Sequence, residues 1–366
     1  MSKVVLENKD PRTRAQQRQK LGTLKQLTVQ PATRARYDKA IDAFLKFLTS
    51  NKLQLPYQRE RIDALAAEYL EHLWCTGAGR GLASDTLAAL QDQDPRLRGL
   101  LQTSWRLLKT WHSHEIPSRA PPFPEFILQC LVGWSLFQGH FSFAVSLMVG
   151  FYGMLRTGEL LTLKKEHFSL SVATGVAVIS LGYTKGGKRM GAMESVTLTH
   201  VTAISYLKQW LQLALPGQSL CRTPSAWRKI FSDGLQQLKL HSFEFRPYSL
   251  RRGGATWYFT KFSSLDRVMV MGRWQAARTA RIYLNEGQAA LADMHFAPQR
   301  VHLNPFHRTF LNTNPLKHQT LEPPRGSAGG RGKRSKRSKP QKKDKKRKPK
   351  KAKSHRKWKD LGVLGC

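Results

Sequence analysis

The chain has few cysteines, and they stand far apart in its 366 residues, at Cys75, Cys130, Cys221 and Cys366. Disulfide frameworks and zinc knuckles both require cysteines at short, paired spacings. This spacing argues against both, so we expect no metal site, and it favours a reducing compartment.

Long apolar runs are also lacking. The most apolar stretch, from Phe141 to Leu155, is too short to cross a bilayer and is interrupted by glycines. The first residues lack the apolar run of a secretory signal. Cys366 is the last residue, whereas prenylation requires a cysteine four from the end. We therefore expect no membrane partner.

Acidic residues are scarce relative to basic ones. The chain has 24 acidic against 61 basic residues, a formal net charge of +37, and a pI near 10.6. Such a field binds polyanions, so nucleic acid is the expected partner. Residues 321–366 hold 19 basic and 3 acidic residues, which leaves 42 basic and 21 acidic residues in the preceding part. The positive charge is therefore not confined to the tail.

The tail combines few apolar residues with many like charges, which predicts disorder. Its basic runs, Lys333–Arg337 and Lys345–Lys348, resemble nuclear import signals. They predict a nuclear location if the chain is eukaryotic. A nonspecific phosphate-binding tail is the alternative, and both interpretations can hold together.

Apolar residues at helical spacing predict helices through most of the chain, so the expected fold class is mainly α. Two strand patterns, Val176–Leu181 and Ser195–Leu198, flank a glycine-rich turn and predict a small antiparallel sheet. The predicted organisation is a flexible basic arm (1–30), a helical bundle (31–116), a proline-rich linker (117–125), an α-rich domain that contains the sheet (126–297), and a basic disordered tail (298–366).

Two arginines and a tyrosine stand in short motifs that suggest phosphate chemistry. Arg156 lies in Gly-Met-Leu-Arg-Thr-Gly-Glu-Leu and Arg251 in Pro-Tyr-Ser-Leu-Arg-Arg-Gly-Gly. Tyr283 follows Trp274 of a Gly-Arg-Trp by nine residues. A guanidinium offers a planar fork of donors that matches two phosphate oxygens, and a phenol can form a covalent phosphate ester. Together they suggest a tyrosine that attacks a phosphodiester held by arginines.

In order and offset these motifs resemble the catalytic domain of the tyrosine recombinase (phage integrase) family. The likeness covers roughly residues 125–297, with a weaker helical match over about 30–120. It is strongest to the family's eukaryotic, transposon-derived members, which carry Gly-Arg-Trp. The resemblance implies an integrase-like catalytic domain over residues 126–297 and a DNA-binding role for the helical bundle of residues 31–116. It also implies these site residues: Arg156, Arg251 and Trp274 on the phosphate, Tyr283 as nucleophile, Glu159 as a brace, and Lys185, with Lys188 in reserve, as the donor of a proton to the leaving oxygen.

The resemblance further implies a site-specific recombinase that acts on double-stranded DNA through a 3′-phosphotyrosine intermediate, with self-association as a synaptic tetramer. No cofactor is expected, because the phosphotyrosine bond conserves the energy of the broken strand. Tyr248 departs from the family, which usually has histidine there. A phenol can donate a hydrogen bond to phosphate but is a poor base near neutral pH, since its ordinary pKa is about 10.

Other interpretations stay open. Taken singly, Arg156 is a surface or helix-pairing residue, Trp274 and Tyr283 are core aromatics, and Lys185 is a solvated hairpin tip. The chain could be a DNA-binding protein on the same fold without catalysis, a type IB topoisomerase-like enzyme, or a basic RNA- or chromatin-binding protein. The combination of motifs in one order favours the recombinase.

Overall fold

A computed structural model of the chain describes residues 10–313, apart from 25, 57, 116–118, 172–174, 185–192, 285–286, 288–293, 295 and 297–299. The described residues form two compact units, one ending at residue 115 and the other beginning at residue 119. Each unit has a hydrophobic core of its own.

The first unit is built from α-helices. They are α1 (Pro11–Leu21), α2 (Pro31–Ser50), α3 (Ile62–Cys75), α4 (Arg80–Gln93) and α5 (Gln102–His114), with short 3-10 turns at Arg59–Arg61 and Pro95–Leu97. Helices α2 to α5 form the predicted helical bundle. Their apolar faces meet in a core that includes Phe44, Tyr69, Leu87 and Trp111.

A buried carboxylate joins two of these helices. Asp63, in the first turn of α3, accepts hydrogen bonds from the backbone N–H groups of Thr103 and Ser104, each at 2.9 Å. These N–H groups lie in the first turn of α5, where no intrahelical acceptor exists for them. Asp63 therefore satisfies the start of α5 from a neighbouring helix.

Helix α1 lies within the segment that was predicted as a flexible arm. Its start is defined by Asp10, whose carboxylate accepts from the backbone N–H of Arg12 and Thr13 at 3.0 and 3.1 Å, and by Pro11 in the first turn. None of its residues is buried. The absence of an apolar stripe is why the helical pattern did not reveal it.

The second unit combines helices with a three-stranded sheet. In chain order its elements are α6 (Glu125–Phe137), α7 (Phe141–Tyr152), α8 (Thr157–Leu160), a 3-10 turn (Lys165–His167), β1 (Phe168–Ser171), β2 (Val176–Gly182), β3 (Glu194–Leu198), α9 (Val201–Leu213), α10 (Pro224–Gln237), a 3-10 turn (His241–Phe243), α11 (Pro247–Phe262), α12 (Leu265–Gly272), α13 (Ala277–Arg281) and α14 (Arg300–Asn312).

The sheet is antiparallel with strand order β1-β2-β3. Phe168 is paired with Ile179, and Ile179 with Val196, and all three side chains are buried. This row forms the face of the sheet that packs on the core. The predicted hairpin is confirmed as β2 and β3, whereas the short and more polar β1 was not predicted.

Close backbone approaches fix the position of α11 against the rest of the unit. A Cβ atom at Gly254 would lie 2.1 Å from the Phe151 carbonyl oxygen of α7, and one at Gly253 would lie 2.1 Å from that of Phe123. Glycine at both positions lets α11 approach its neighbours more closely than a helix with side chains there. The candidate residues Tyr248 and Arg251 lie on this helix.

Helix α14 corrects the predicted start of the tail. Its residues Leu303 and Phe310 belong to the core of the second unit. A Cβ atom at Gly133 of α6 would lie only 1.9 Å from the Phe306 carbonyl oxygen, so the two helix backbones touch. The folded unit therefore continues beyond residue 297. Residues 314–366, which include most of the predicted disordered tail, lie outside the described residues.

The fold class is the predicted one, mainly α with a small antiparallel sheet in the second unit. Among the described residues, no helix has the length and apolarity needed to span a bilayer.

Candidate active site

The candidate residues lie on three segments of the second unit that meet around Arg251. Arg156 stands between α7 and α8, and Tyr248 and Arg251 lie in the first turns of α11. Trp274 stands between α12 and α13, and Tyr283 follows α13. Residues from distant parts of the chain are thereby brought to one place.

Arg251 is completely buried. One terminal nitrogen donates to the Met154 carbonyl oxygen and the other to that of Gly272, the latter at 2.6 Å. Its Nε–H has no hydrogen-bond partner among the described residues. Burial, and then the charges of Arg156 and Arg273, lower the pKa of Arg251 to about 10. The guanidinium still carries its charge at neutral pH, but much of its fork is bonded to the backbone.

Two aromatic rings pack against this guanidinium. The Arg251 carbon Cζ lies 4.7 Å from the centre of the Trp274 ring and 5.5 Å from that of Tyr283. The two ring centres are 4.5 Å apart. A cation at these distances is attracted by the faces of both rings. The predicted second arginine, tryptophan and nucleophilic tyrosine thus form one contact cluster.

Tyr248 lies beside Tyr283, with 5.7 Å between the ring centres, and is 40% exposed. Partial burial raises the pKa of Tyr248, and its hydrogen bond to Tyr283 and the charge of that neighbour raise it further, while Arg251 and Arg252 act in the opposite direction. The Tyr248 phenol therefore keeps its proton at neutral pH. It can donate a hydrogen bond but cannot act as a general base.

Arg156 is held by Glu159. The carboxylate accepts from the Arg156 backbone N–H at 2.9 Å and from its guanidinium at 2.6 Å. The Arg156 side chain remains 37% exposed. Glu159 lies in the single turn of α8, three residues after Arg156. The predicted brace is in contact with the predicted arginine, which keeps donors free on its exposed side.

Two further residues, Arg273 and Glu194, belong to this cluster, although neither was predicted as a site residue from the sequence. Arg273 pairs with Glu159 at 2.8 Å and with Glu194 of β3 at 3.1 Å. Burial would raise the pKa of Glu159, but the hydrogen bonds and charges of Arg273 and Arg156 outweigh it and hold the pKa below its usual value. The middle residue of Gly-Arg-Trp was visible in the sequence, whereas no pattern marked Glu194.

The hairpin lysines Lys185 and Lys188 lie outside the described residues. Thr184, the last described residue before them, donates from its hydroxyl to Glu194 at 2.7 Å. The strand that leads to the predicted lysines is therefore attached to the same carboxylate as Arg273.

Arg252 holds the segment that precedes Tyr283. It is buried and donates to the Ala120 carbonyl oxygen and, at 3.2 Å, to that of Ile282, which precedes Tyr283. Its Nε–H, like those of Arg251 and Arg273, has no partner among the described residues.

The cluster as a whole carries excess positive charge. Its guanidiniums outnumber its carboxylates, with Arg156, Arg251, Arg252 and Arg273 against Glu159 and Glu194. Buried donors without a partner are costly unless a ligand or water satisfies them. A site of this composition suits an anion such as a phosphodiester. Within the described part of the chain, no group of three or more histidine, cysteine or acidic residues could hold a metal ion.

No protein-family model matches the chain, and neither does any curated protein. Among solved structures, the chain is similar to the Tn1549 transposon integrase in complex with circular intermediate DNA, at 10% identity over 76% of this chain and 97% of that one, with a TM-score of 0.49. It is also similar to the XerH site-specific recombinase bound to difH substrate in a pre-cleavage complex, at 17% identity over 66% and 70% of the two chains, with a TM-score of 0.44. The XerA recombinase matches at 15% identity over 76% and 94%, with a TM-score of 0.37. At these identities and TM-scores the matches assign no function, and the residues of the site must carry that inference.

Proposed function

We propose that this chain is a DNA strand transferase of the tyrosine recombinase type. The observation that carries the proposal is the cluster itself, in which Tyr283 packs on Trp274 and on the buried cation Arg251. The charge of Arg156 lies close enough to lower the pKa of Arg251, and a second phenol, that of Tyr248, lies beside Tyr283. Oriented donors placed where negative charge develops are usually the largest catalytic contribution.

In the proposed reaction the hydroxyl oxygen of Tyr283 attacks the phosphorus of a DNA strand. The bond from phosphorus to the 5′ oxygen breaks, and the strand remains attached as a 3′-phosphotyrosine ester. The phenol proton of Tyr283 passes to solvent, and the 5′ oxygen takes up a proton, for which Lys185 is the proposed donor. Reversal of these steps, with the same or another 5′ hydroxyl, rejoins the strand without a cofactor.

Four residues of the cluster have distinct roles in this scheme. Arg156 is the most exposed of them and contacts the phosphate oxygens directly. Arg251 supplies a buried positive charge and its free Nε–H. Tyr248 donates a hydrogen bond, since its raised pKa keeps the phenol protonated. Trp274 orients the nucleophile and offers its indole N–H to the phosphate.

The partners and setting are part of the same proposal. The net charge of +37 suits double-stranded DNA, and strand exchange between two duplexes requires self-association, for which a synaptic tetramer is proposed. We also propose a transposon-derived origin, which the Gly-Arg-Trp motif supports, and a nuclear location, which the basic runs of the tail support.

A second function, DNA binding without catalysis, is favoured by one specific observation. Both terminal nitrogens of Arg251 are bonded to backbone carbonyl oxygens, which leaves it fewer donors for a phosphate than a free fork offers. Tyr248 in place of histidine points the same way.

A suicide substrate separates the two functions. Nicked duplex DNA that loses its 5′ segment after cleavage traps the covalent protein–DNA adduct. We expect an adduct with the native protein, none with Tyr283→Phe, and an undiminished one with the control Tyr37→Phe, which loses a phenol hydroxyl in the first unit. An adduct that persists in Y283F refutes the assignment of the nucleophile. Tight DNA binding without any adduct supports the non-catalytic function.

A further inference from the structure

The middle residue of Gly-Arg-Trp has an unusual environment. Arg273 ends α12 in the left-handed backbone region, with a φ of 57°. This region disfavours residues with a Cβ atom, and glycine is the usual occupant. The Arg273 side chain is only 9% exposed, although burying a guanidinium is costly unless it is paired. Such a residue needs a compensating role.

The two ion pairs of Arg273 reach distant segments. Glu159 lies 114 residues before it, on α8, and Glu194 lies 79 residues before it, at the start of β3. Both carboxylates also pair with Arg156, Glu159 at 2.6 Å and Glu194 at 3.9 Å. Glu194 in addition accepts a hydrogen bond from the Thr184 hydroxyl at 2.7 Å. One guanidinium thus connects Arg156, which precedes α8, to both strands of the hairpin.

The backbone on either side of Arg273 completes the connection. The preceding carbonyl oxygen, that of Gly272, accepts from Arg251 at 2.6 Å. The following residue is Trp274, which packs on Tyr283. A shift of this turn would therefore move Arg251, Trp274 and, through Glu159, Arg156 together.

We infer that Arg273 is a positioning residue of the strand-transfer site, whose guanidinium holds Glu159 and Glu194 so that Arg156 and the Gly272–Trp274 turn are fixed relative to each other. This inference rests on the proposed function. Arg273 does not itself bind the phosphate, because both of its terminal nitrogens are occupied by carboxylates. Positional specificity is also a better account of a buried ion network than stability, since such networks are weak stabilisers.

The test compares Arg273→Gln and Arg273→Lys with the control Lys229→Gln. K229Q removes one positive charge from an exposed pair, Lys229 with Asp233 on α10, in the same unit. We expect R273Q to slow single-turnover adduct formation about 100-fold, as a misplacement of about 1 Å can do. Its DNA affinity should match that of K229Q. R273K should fall between, because an ammonium keeps the charge but lacks the fork that spans two carboxylates.

A combined variant distinguishes positioning from a general loss of stability. If Arg273 acts through Glu159, R273Q with Glu159→Gln should be little slower than R273Q alone, whereas independent effects multiply. The rates are measured at a temperature where circular dichroism shows every variant folded. If R273Q does not fold, Glu194→Gln cuts one branch of the network, and a slower rate at unchanged DNA affinity is again expected.

The outcomes separate the inference from the proposed function. If the native protein forms no adduct on any substrate, the proposed function fails and the inference with it. If the native protein cleaves, and R273Q or E194Q cleaves as fast as K229Q, only the inference fails. A loss of DNA affinity that accounts for the whole rate defect would also overturn it, because Arg273 would then be a binding residue.

Discussion

A single methyl group at Gly254 should disturb both the stability and the proposed chemistry. Its Cβ atom would stand 2.1 Å from the Phe151 carbonyl oxygen and 3.0 Å from the Phe151 carbonyl carbon. Distances under 3.0 Å essentially never occur for real Cβ atoms, so Gly254→Ala must push α11 away from α7 by about 1 Å. The obstructing atoms belong to the backbone of a fully buried helix and cannot rotate aside.

Two opposing effects set the magnitude. Alanine favours a helix over glycine by about 0.5–1 kcal/mol, and overpacking a close-fitting core costs about 1–3 kcal/mol. We therefore expect G254A to lower the free energy of unfolding by about 1–2 kcal/mol. Arg251 lies on the same helix and donates to Met154 at the end of α7. A displacement of about 1 Å there should slow adduct formation by about 100-fold.

Urea unfolding and single-turnover adduct formation measure the two effects. The matched control is Gly81→Ala in α4, where an added Cβ atom meets nothing within 4 Å. G81A should gain about 0.5–1 kcal/mol of stability from helix propensity alone. If G254A gains stability as G81A does, the close approach of α11 to α7 is refuted. If G254A loses stability but cleaves at the native rate, the dependence of Arg251 on this packing is refuted.

Three further predictions concern other parts of the chain. Gly133→Ala should detach α14 from α6, and the lost burial of Leu303 and Phe310 should cost about 3–6 kcal/mol. Limited proteolysis should then cut the variant faster near residues 300–313, and equal protection of the variant and the native protein contradicts this. The pKa of Glu159 is lower when folded than its ordinary 4.5, so its ion pairs stabilise the fold above that pH and are lost as the pH falls through the folded value. Acid unfolding of Glu159→Gln should therefore depend less on pH than that of the native protein, and an identical dependence contradicts the pairing. Truncation after Thr313 should reduce the slope of log K for DNA binding against log salt concentration, by about one for each phosphate that the tail neutralises. Binding itself should remain, and an unchanged slope counts against a role for the tail.

The elements that could be predicted from the sequence are those with a regular apolar period. Strands β2 and β3, for example, agree with the predicted strands to within a residue. The same criterion explains the misses. Helix α1 buries no residue, and β1 is only four residues long. Helix α14 has buried or half-buried Leu303, Phe306 and Phe310 at helical spacing, but its internal Pro305 and its basic composition made it resemble the tail.

In the candidate site, residues that belong to short sequence motifs could be predicted, whereas their partners in the folded structure could not. Arg156, Arg251, Trp274 and Tyr283 stood out because each belongs to a short motif, and the structure brings Arg251, Trp274 and Tyr283 into contact. Their hydrogen-bond partners could not be predicted in the same way. The carbonyl oxygens of Met154 and Gly272 are generic backbone groups, and only the fold decides that they face Arg251.

Glu194 is the clearest case of a residue that sequence reasoning cannot find. An acidic residue at the start of a strand is unremarkable, and its partner Arg273 is 79 residues away on a turn between two helices. The structure shows that Arg273 itself is in an unfavourable backbone conformation, since it ends α12 with a φ of 57°. Glycine adopts the left-handed backbone conformation without strain, whereas arginine does not. The arginine side chain must therefore make interactions that glycine could not make. These interactions are two ion pairs, which connect α8, the hairpin and the Gly-Arg-Trp turn. Replacing Arg273 tests whether this connection matters for strand transfer or only for folding.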